Sequence, residues 1–307
     1  VAIRCDFCTS KARYLQRHSG AKFCGRCFTK SLRRRVWRDV GRNRMISDSR
    51  FAIFAVSGGK DSVACLDIVA PLGRVRRTQM AVLTVDEGIR GYREEGIKRA
   101  RKAARASDLE FHTASFKREF GADLDSIVDR LGSPKRACTY CGVLRRWILN
   151  RHARDLGADR LITGHNLDDE AESALLNLIR GDPARLARSG PNYILSHEKL
   201  VPRVKPLRGI PGKETLLYDI FNRLDVHLGS CPYAGFDFRN QVRSFLNQVE
   251  EDRPTSKSSF LSTVDRLSAQ FARLYAGGRL VECSRCGEPT VGGECKACQL
   301  LRSVGLL

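Results

Sequence analysis

The chain has 307 residues, 42% of them hydrophobic and 29% charged, which excludes a disordered polymer and leaves room for one sizeable core with small appendages. Lys and Arg number 54 against 34 Asp and Glu, a formal charge of +20. That excess suits a polyanion, because each neutralised phosphate releases condensed counterions, although a generally basic surface would also produce it. No apolar run approaches the ~20 residues needed to span a bilayer, and the stretch from Val1 to Cys8 lacks the apolar core of a signal peptide. A cytoplasmic protein with no membrane partner is expected.

Residues 1–30 read as a zinc finger. Cys5 and Cys8, then Cys24 and Cys27, form two C-x-x-C knuckles, and four thiolates close a tetrahedron, which makes such a site structural. Two disulfides are the alternative, disfavoured in a reducing compartment. His18 lies between the pairs and is expected in a loop, since the sulfurs already complete the ligand set. Residues 31–48 read as a basic linker helix. Between residues 30 and 50 stand Lys30, Arg33, Arg34, Arg35, Arg38, Arg42, Arg44 and Arg50 against Asp39 and Asp48, with Trp37 interleaved. Contact with a phosphate backbone is preferred to a merely solvated face.

Residues 49–211 read as an α/β catalytic domain. Strand-like runs at Phe51–Val56, Met80–Val85, Leu109–Ala114 and Arg160–Thr163 alternate with helical patterns at Asp61–Leu72, Arg93–Ser107, Val143–Leu156 and Asp168–Arg180. The alternation predicts a doubly wound parallel sheet whose ligands bind beyond the carboxyl ends of the strands. Ser57-Gly58-Gly59-Lys60-Asp61-Ser62 follows the first strand and opens a helix. Glycines let successive backbone N–H groups converge on an anion, the helix N-terminus adds its positive end, and Lys60 supplies a point charge. It is not a Walker A loop: Phe54 stands where that motif needs Gly, and Asp61 where it needs Ser or Thr.

Residues 212–278 read as a helical extension, with patterns at Lys213–Leu224, Phe238–Glu251 and Phe260–Tyr275 and no further strands. Gly277-Gly278 reads as a hinge into residues 279–307, where Cys283, Cys286, Cys295 and Cys298 have the spacing of a zinc ribbon. Both terminal modules are too small to hold together without metal. Cys138, Cys141 and Cys231 remain, three thiolates with no obvious fourth, while Cys65 is expected to pack in the core.

The loop resembles the PP-loop of the ATP pyrophosphatases, a Rossmann-like group that splits ATP between its α- and β-phosphates and adenylates a substrate oxygen. Further matches are Asp86-Glu87-Gly88-Ile89 with Gly91-Tyr92-Arg93; Cys138-Thr139-Tyr140-Cys141-Gly142 with Leu144-Arg145-Arg146; and Gly164-His165-Asn166-Leu167-Asp168-Asp169 with Glu170-Ala171-Glu172. Arg180-Gly181-Asp182 and Cys231-Pro232-Tyr233-Ala234 complete the series. Flanked by two cysteine modules, it is similar to the TtuA branch of the TtcA/TtuA tRNA 2-thiolation family over nearly the whole chain. Residues 114–135 and 185–205 carry no matching signature.

The resemblance implies ATP, with Mg²⁺, bound among Ala55, Ser57, Gly58, Gly59, Lys60, Asp61, Ser62, Val85, Gly164, His165 and Asp169. It implies a 4Fe-4S cluster on Cys138, Cys141 and Cys231 with one iron left open. A persulfide on Cys138 or Cys141 resolved by Cys231, or a third zinc, are the rivals that spacing alone leaves open. The implied reaction adenylates a uridine 2-oxygen and then replaces it with sulfur. Lys60 would stabilise the leaving pyrophosphate and Asp169, in preference to Asp168, would hold Mg²⁺ or orient the nucleophile. Arg145 and Arg146 would meet RNA or a sulfur carrier. Implied partners are tRNA, a ubiquitin-like carrier ending in a thiocarboxylate, and a second copy of the chain. Uridine 54 is the expected target and wobble uridine 34 the alternative. A cytidine-modifying relative, or a non-catalytic zinc-bearing RNA-binding protein, is the competing reading.

Overall fold

A computed structural model describes residues 3–187, 197–235, 238–274 and 280–307. The N-terminal module contains an antiparallel pair, β1 (Tyr14–Leu15) and β2 (Lys22–Phe23). Helix α1 (Gly25–Arg42) follows at once, with the Cys24 sulfur accepting from the Cys27 N–H at its first turn. Because a cysteine knuckle doubles as the N-cap, module and basic helix share one element, which runs through residue 30 without a break.

The catalytic domain alternates as expected: β3 (Phe51–Ala55), α2 (Lys60–Arg76), β4 (Gln79–Asp86), α3 (Arg93–Ala106) and β5 (Glu110–Ser115). Two helices then occupy the stretch without a signature, α4 (Phe116–Phe120) and α5 (Leu124–Leu131). A 3₁₀ turn at Pro134–Arg136 leads into α6 (Ala137–Asp155), followed by β6 (Arg160–Thr163), α7 (Leu167–Ile179), α8 (Pro183–Ala187) and β7 (Arg203–Val204). Helix α6 begins six residues before the Val143 start read from sequence, so Cys138 and Cys141 lie on its first turns rather than in a preceding loop.

All five strands are parallel, in the order β5-β4-β3-β6-β7. Alternating side chains sort the core into two layers. Ile53, Leu83, Val85 and Leu161 face α5 and α6, packing with Ile127, Leu144 and Ile148. Ala52, Phe54, Val82 and Ile162 face the other way, against Leu32 and Val36 of α1 and Leu66 and Val69 of α2.

Beyond the sheet lie α9 (Gly212–Asn222), α10 (Arg239–Asp252) and α11 (Ser256–Leu274). Strands do not end there: β8 (Val281–Glu282) and β9 (Pro289–Thr290) form a small antiparallel pair in the last module, before α12 (Lys296–Arg302). The pair links the two knuckles, where Cys283 N–H bonds to Glu288 O at 2.9 Å. Gly277-Gly278 lies outside the described residues. The N-terminal module shares the core layer of α1, α2 and α9. The C-terminal module shares the layer of α6, through Leu300, Leu301 and Val304.

Candidate active site

The loop after β3 has the backbone that its glycines require. Gly58 has φ +85° and a Cβ there would lie 2.0 Å from Gly96 O, so only glycine lets α3 approach. A Cβ on Gly164 would meet Asp61 O and the Ser62 backbone at 2.8 Å, so the turn after β6 packs against the start of α2. Ser62 Oγ accepts from Ser57 N–H at 3.2 Å and lies 3.1 Å from Ser57 Oγ, which closes the loop on itself.

Beside this loop, at the carboxyl ends of β3, β4 and β6, opens a cavity of about 280 Å³. Its wall includes Ala55, Ser57, Asp61, Ser62, Val85, Gly164, His165 and Asp169, eight of the eleven residues expected to meet ATP. Gly58, Gly59 and Lys60 are not on that wall. Gly58 is turned to α3, Gly59 bridges to His227, and the Lys60 side chain points elsewhere.

The cavity also contains a charged frame in which Glu87 and Arg93 had no expected role, and Arg145 was expected to meet RNA or a sulfur carrier rather than to line this space. Glu87 is 3% exposed and pairs with Arg93 at 2.7 Å and Arg145 at 3.1 Å. Arg93, itself buried, donates to Val85 O at 2.9 Å and Ser57 O at 2.6 Å, tying the end of β4 to the loop. The Arg145 side chain is 45% exposed and lines the cavity. Glu87, Arg93 and Arg145 all lie inside the quoted motifs, so the signal was present. What the sequence lacked was the pairing. His165 stands open to the cavity with Nδ1 2.9 Å from Thr163 Oγ1. The surrounding protein disfavours its charged ring and Lys205 adds to this, so its pKa is pushed down to about 4 and the ring is neutral at pH 7.

Lys60 faces a second cavity, of about 620 Å³, on the other side of Asp61 and Asp169. Its ammonium donates to Asp61 Oδ1 and Oδ2 at 2.7 and 2.8 Å, to Gly212 O at 3.1 Å and to Thr215 Oγ1 at 3.3 Å. Asp168 and Asp169 both reach this space but are held differently. Asp168 Oδ2 accepts from Gly212 N–H at 2.6 Å and Oδ1 from buried Lys257. Asp169 completes a capping box with Asn166 at the start of α7, and it alone of the pair borders both cavities. Burial pushes its pKa up to about 6, against the opposing Asn166 N–H bond. Nearby Asp219 is 2% exposed, and neither carboxylate oxygen has a hydrogen-bond partner among the described residues. Burial first, then Asp61, pushes its pKa up to about 8.

The three central cysteines come together from two elements. Cys138 and Cys141 sit three residues apart on one face of α6, in its first turns. Cys231 arrives in a turn closed by Ala234 N–H to Cys231 O at 2.9 Å, and Tyr233 Oη anchors that turn to Asp125 of α5 at 2.6 Å. Cys138 Sγ lies 3.7 Å from Tyr233 O. Burial pushes the Cys141 thiol up to about 12, opposed by Arg145 one turn further along α6.

No disulfide joins any of the twelve cysteines in this structure. In each terminal module four sulfurs gather within 4.8 Å of one another. The Cys8–Cys24 and Cys286–Cys295 separations are 3.6 Å, close to the edge of about 3.8 Å expected of four thiolates around Zn²⁺. His18 is exposed and outside the set. Among the described residues the central trio forms no such tight group.

A model of the PP-loop domain matches residues 32–211. The tRNA 2-thiolation protein NcsA of Haloferax volcanii is 36% identical, over 98% of this chain and 99% of that one. The chain belongs to the PP-loop tRNA 2-thiolation family. Cytoplasmic tRNA 2-thiolation protein 1 of Saccharomyces cerevisiae is 31% identical over 99% of this chain and 87% of its own. Among solved structures, the U34-tRNA thiolase NcsA from Methanococcus maripaludis with its 4Fe-4S cluster superposes with a TM-score of 0.83 at 34% identity. The match covers 100% of this chain and 98% of that one. These family members are of the NcsA and cytoplasmic type, not the TtuA branch that the motif series suggests. The motifs describe ATP and sulfur chemistry, and none of them reads a position in RNA.

Proposed function

We propose that this chain uses ATP to activate the 2-oxygen of wobble uridine 34 in tRNA and replaces that oxygen with sulfur. The observation that carries this reading is the joining of two half-sites by one helix. Arg145 of α6 lines the cavity beside the phosphate loop, one turn after Cys141 on the same helix. A nucleotide-activated base in that cavity would therefore stand next to the cysteines. The similarity to a U34-tRNA thiolase, and to other relatives of the NcsA and cytoplasmic type, favours uridine 34 over uridine 54.

In this reading the uridine oxygen attacks the α-phosphate and pyrophosphate leaves. Lys60 and the N–H groups of the loop stabilise the leaving charge, while Asp61 and Asp169 hold Mg²⁺. Neutral His165 and Arg145 border the nucleotide. Cys138, Cys141 and Cys231 would hold a 4Fe-4S cluster, which when bound offers an iron site free for an inorganic sulfur. Sulfur then takes the place of the adenylated oxygen and AMP departs. The two terminal cysteine sets would each hold a structural Zn²⁺. The working form is a cytoplasmic homodimer supplied with sulfur by a ubiquitin-like thiocarboxylate carrier. A zinc-bearing RNA binder without catalysis would need neither the intact Lys60–Asp61 pair nor the cavity beside it.

The test is anaerobic incubation of the reconstituted protein with ATP, sulfide and unmodified tRNA, followed by mass spectrometry of nuclease fragments. The expected result is 2-thiouridine in the anticodon fragment, with one AMP formed per sulfur inserted. Sulfur in the T-loop fragment would return the reading to uridine 54. ATP-independent RNA binding without AMP would leave only the binding protein.

A further inference from the structure

The N-terminal module lies far from the phosphate loop in sequence, yet one short helix turn connects them. Glu214, on the first turn of α9, is 1% exposed. Its Oε1 accepts from Gln16 Nε2 at 2.8 Å and from Tyr14 Oη at 3.2 Å, and its Oε2 pairs with Arg35. Tyr14 belongs to β1 of the cysteine module, Gln16 follows it directly, and Arg35 belongs to α1. Every partner of this buried carboxylate thus comes from the N-terminal portion of the chain.

The next residue, Thr215, is fully buried and faces the loop. Its hydroxyl accepts from Lys60 Nζ at 3.3 Å, and its one proton is within reach of Asp61 Oδ1 at 2.5 Å and Gly212 O at 2.9 Å, the shorter contact being to Asp61; Gly212 O also accepts from the Lys60 ammonium at 3.1 Å. One hydroxyl therefore touches both charged side chains of the phosphate loop. A hydroxyl has one proton to donate and lone pairs to accept with, so it can bond both groups at once. Such a contact fixes the rotamer of Asp61 and the reach of Lys60 before any phosphate arrives. We propose that Thr215 is a positioning residue for Lys60 and Asp61, and that Glu214 anchors it to the N-terminal cysteine module. On this account the module is a structural part of the nucleotide site as well as a candidate RNA contact.

The inference rests on ATP being the ligand of the loop, so the test reads nucleotide binding directly. Equilibrium binding of ATP with Mg²⁺ and the melting temperature are measured for the full-length protein, for Thr215→Val, Thr215→Ser and Glu214→Gln. Thr215→Val keeps the shape and removes the hydroxyl. It is expected to weaken ATP binding about tenfold, the scale of one hydrogen bond to a charged group. Thr215→Ser is expected to restore binding, and Glu214→Gln to weaken it by a smaller factor. Unchanged ATP affinity in Thr215→Val, or equal losses in the Val and Ser variants alongside a lowered melting temperature, would overturn the assignment in favour of simple packing. If the wild type itself binds no ATP, the functional reading falls and this inference falls with it.

Discussion

The two terminal modules are built on the same four-cysteine plan but brace opposite halves of the site. The N-terminal module lies on the α1–α2–α9 side of the sheet and reaches the phosphate loop through Glu214 and Thr215. The C-terminal module lies on the other side, against α6, the helix that bears Cys138 and Cys141. There Glu288, 5% exposed, pairs with Arg154 at 2.6 Å and accepts from Asn150 at 3.2 Å, while Tyr140 Oη lies 2.7 Å from Ser303 Oγ. Similar sequence modules therefore acquire different functional neighbours from the sheet that separates them. One packs on the phosphate-loop side of the sheet, the other on the side of the central cysteines.

Removing one of the four clustered cysteines from each module in turn separates the two most sharply. Cys298 is buried in the α6 core layer, and Cys298→Ser is expected to lower the melting temperature strongly, because a structural metal holds so small a module together. Iron bound at the central cysteines should fall with it, read by absorbance and iron analysis. Cys8 is exposed, and Cys8→Ser should spare the iron and weaken ATP binding instead. Equal effects of both variants on iron and ATP would erase the distinction between the modules.

A smaller effect is expected from Glu288→Ala, which leaves Arg154 and Asn150 short of an acceptor. The cost should be about 1–3 kcal/mol in denaturant unfolding, with ATP affinity unchanged. A shift in ATP affinity instead of stability would mean that the C-terminal module communicates with the loop.

The smallest expected effect concerns Asp219 behind the loop. Its folded pKa, about 8, lies above the ordinary carboxyl value. Between those two values the folded chain holds the extra proton, so this contribution to stability is present at low pH and lost as pH rises towards 8 and beyond. Asp219→Asn should remove that slope, raising the melting temperature at pH 8.5 more than at pH 5. An equal change at both pH values would place Asp219 in solution-like surroundings.

Much of this arrangement was legible in the residues themselves. Apolar runs gave the four main strands, and Ser57–Ser62 located the loop because glycines and a helix start are local features. Cysteine spacing located both terminal sets. Strand β7 escaped because two residues, Arg203 and Val204, carry no period. Helix α5 left signals that went unread: Asp123 at its N-cap, the Leu124–Ile127–Val128 stripe and Gly132 in the left-handed region after it. Glu214 and Thr215 were beyond reach of any local pattern, since their partners lie about 150 to 200 residues away. The target uridine was illegible for a different reason. ATP and sulfur motifs record the reaction, whereas RNA position depends on a surface that no short motif describes.

If α6 joins two half-sites, activation on the phosphate-loop side and sulfur insertion on the cysteine side are separable steps. The most direct test is Cys231→Ser, purified anaerobically and supplied with ATP, sulfide and tRNA, with AMP and thiolated nucleoside measured in the same reaction. The account expects tRNA-dependent AMP formation to continue while no sulfur enters the RNA. Wild-type thiolation without Cys231, or loss of AMP formation in a folded variant that still binds ATP, would contradict it.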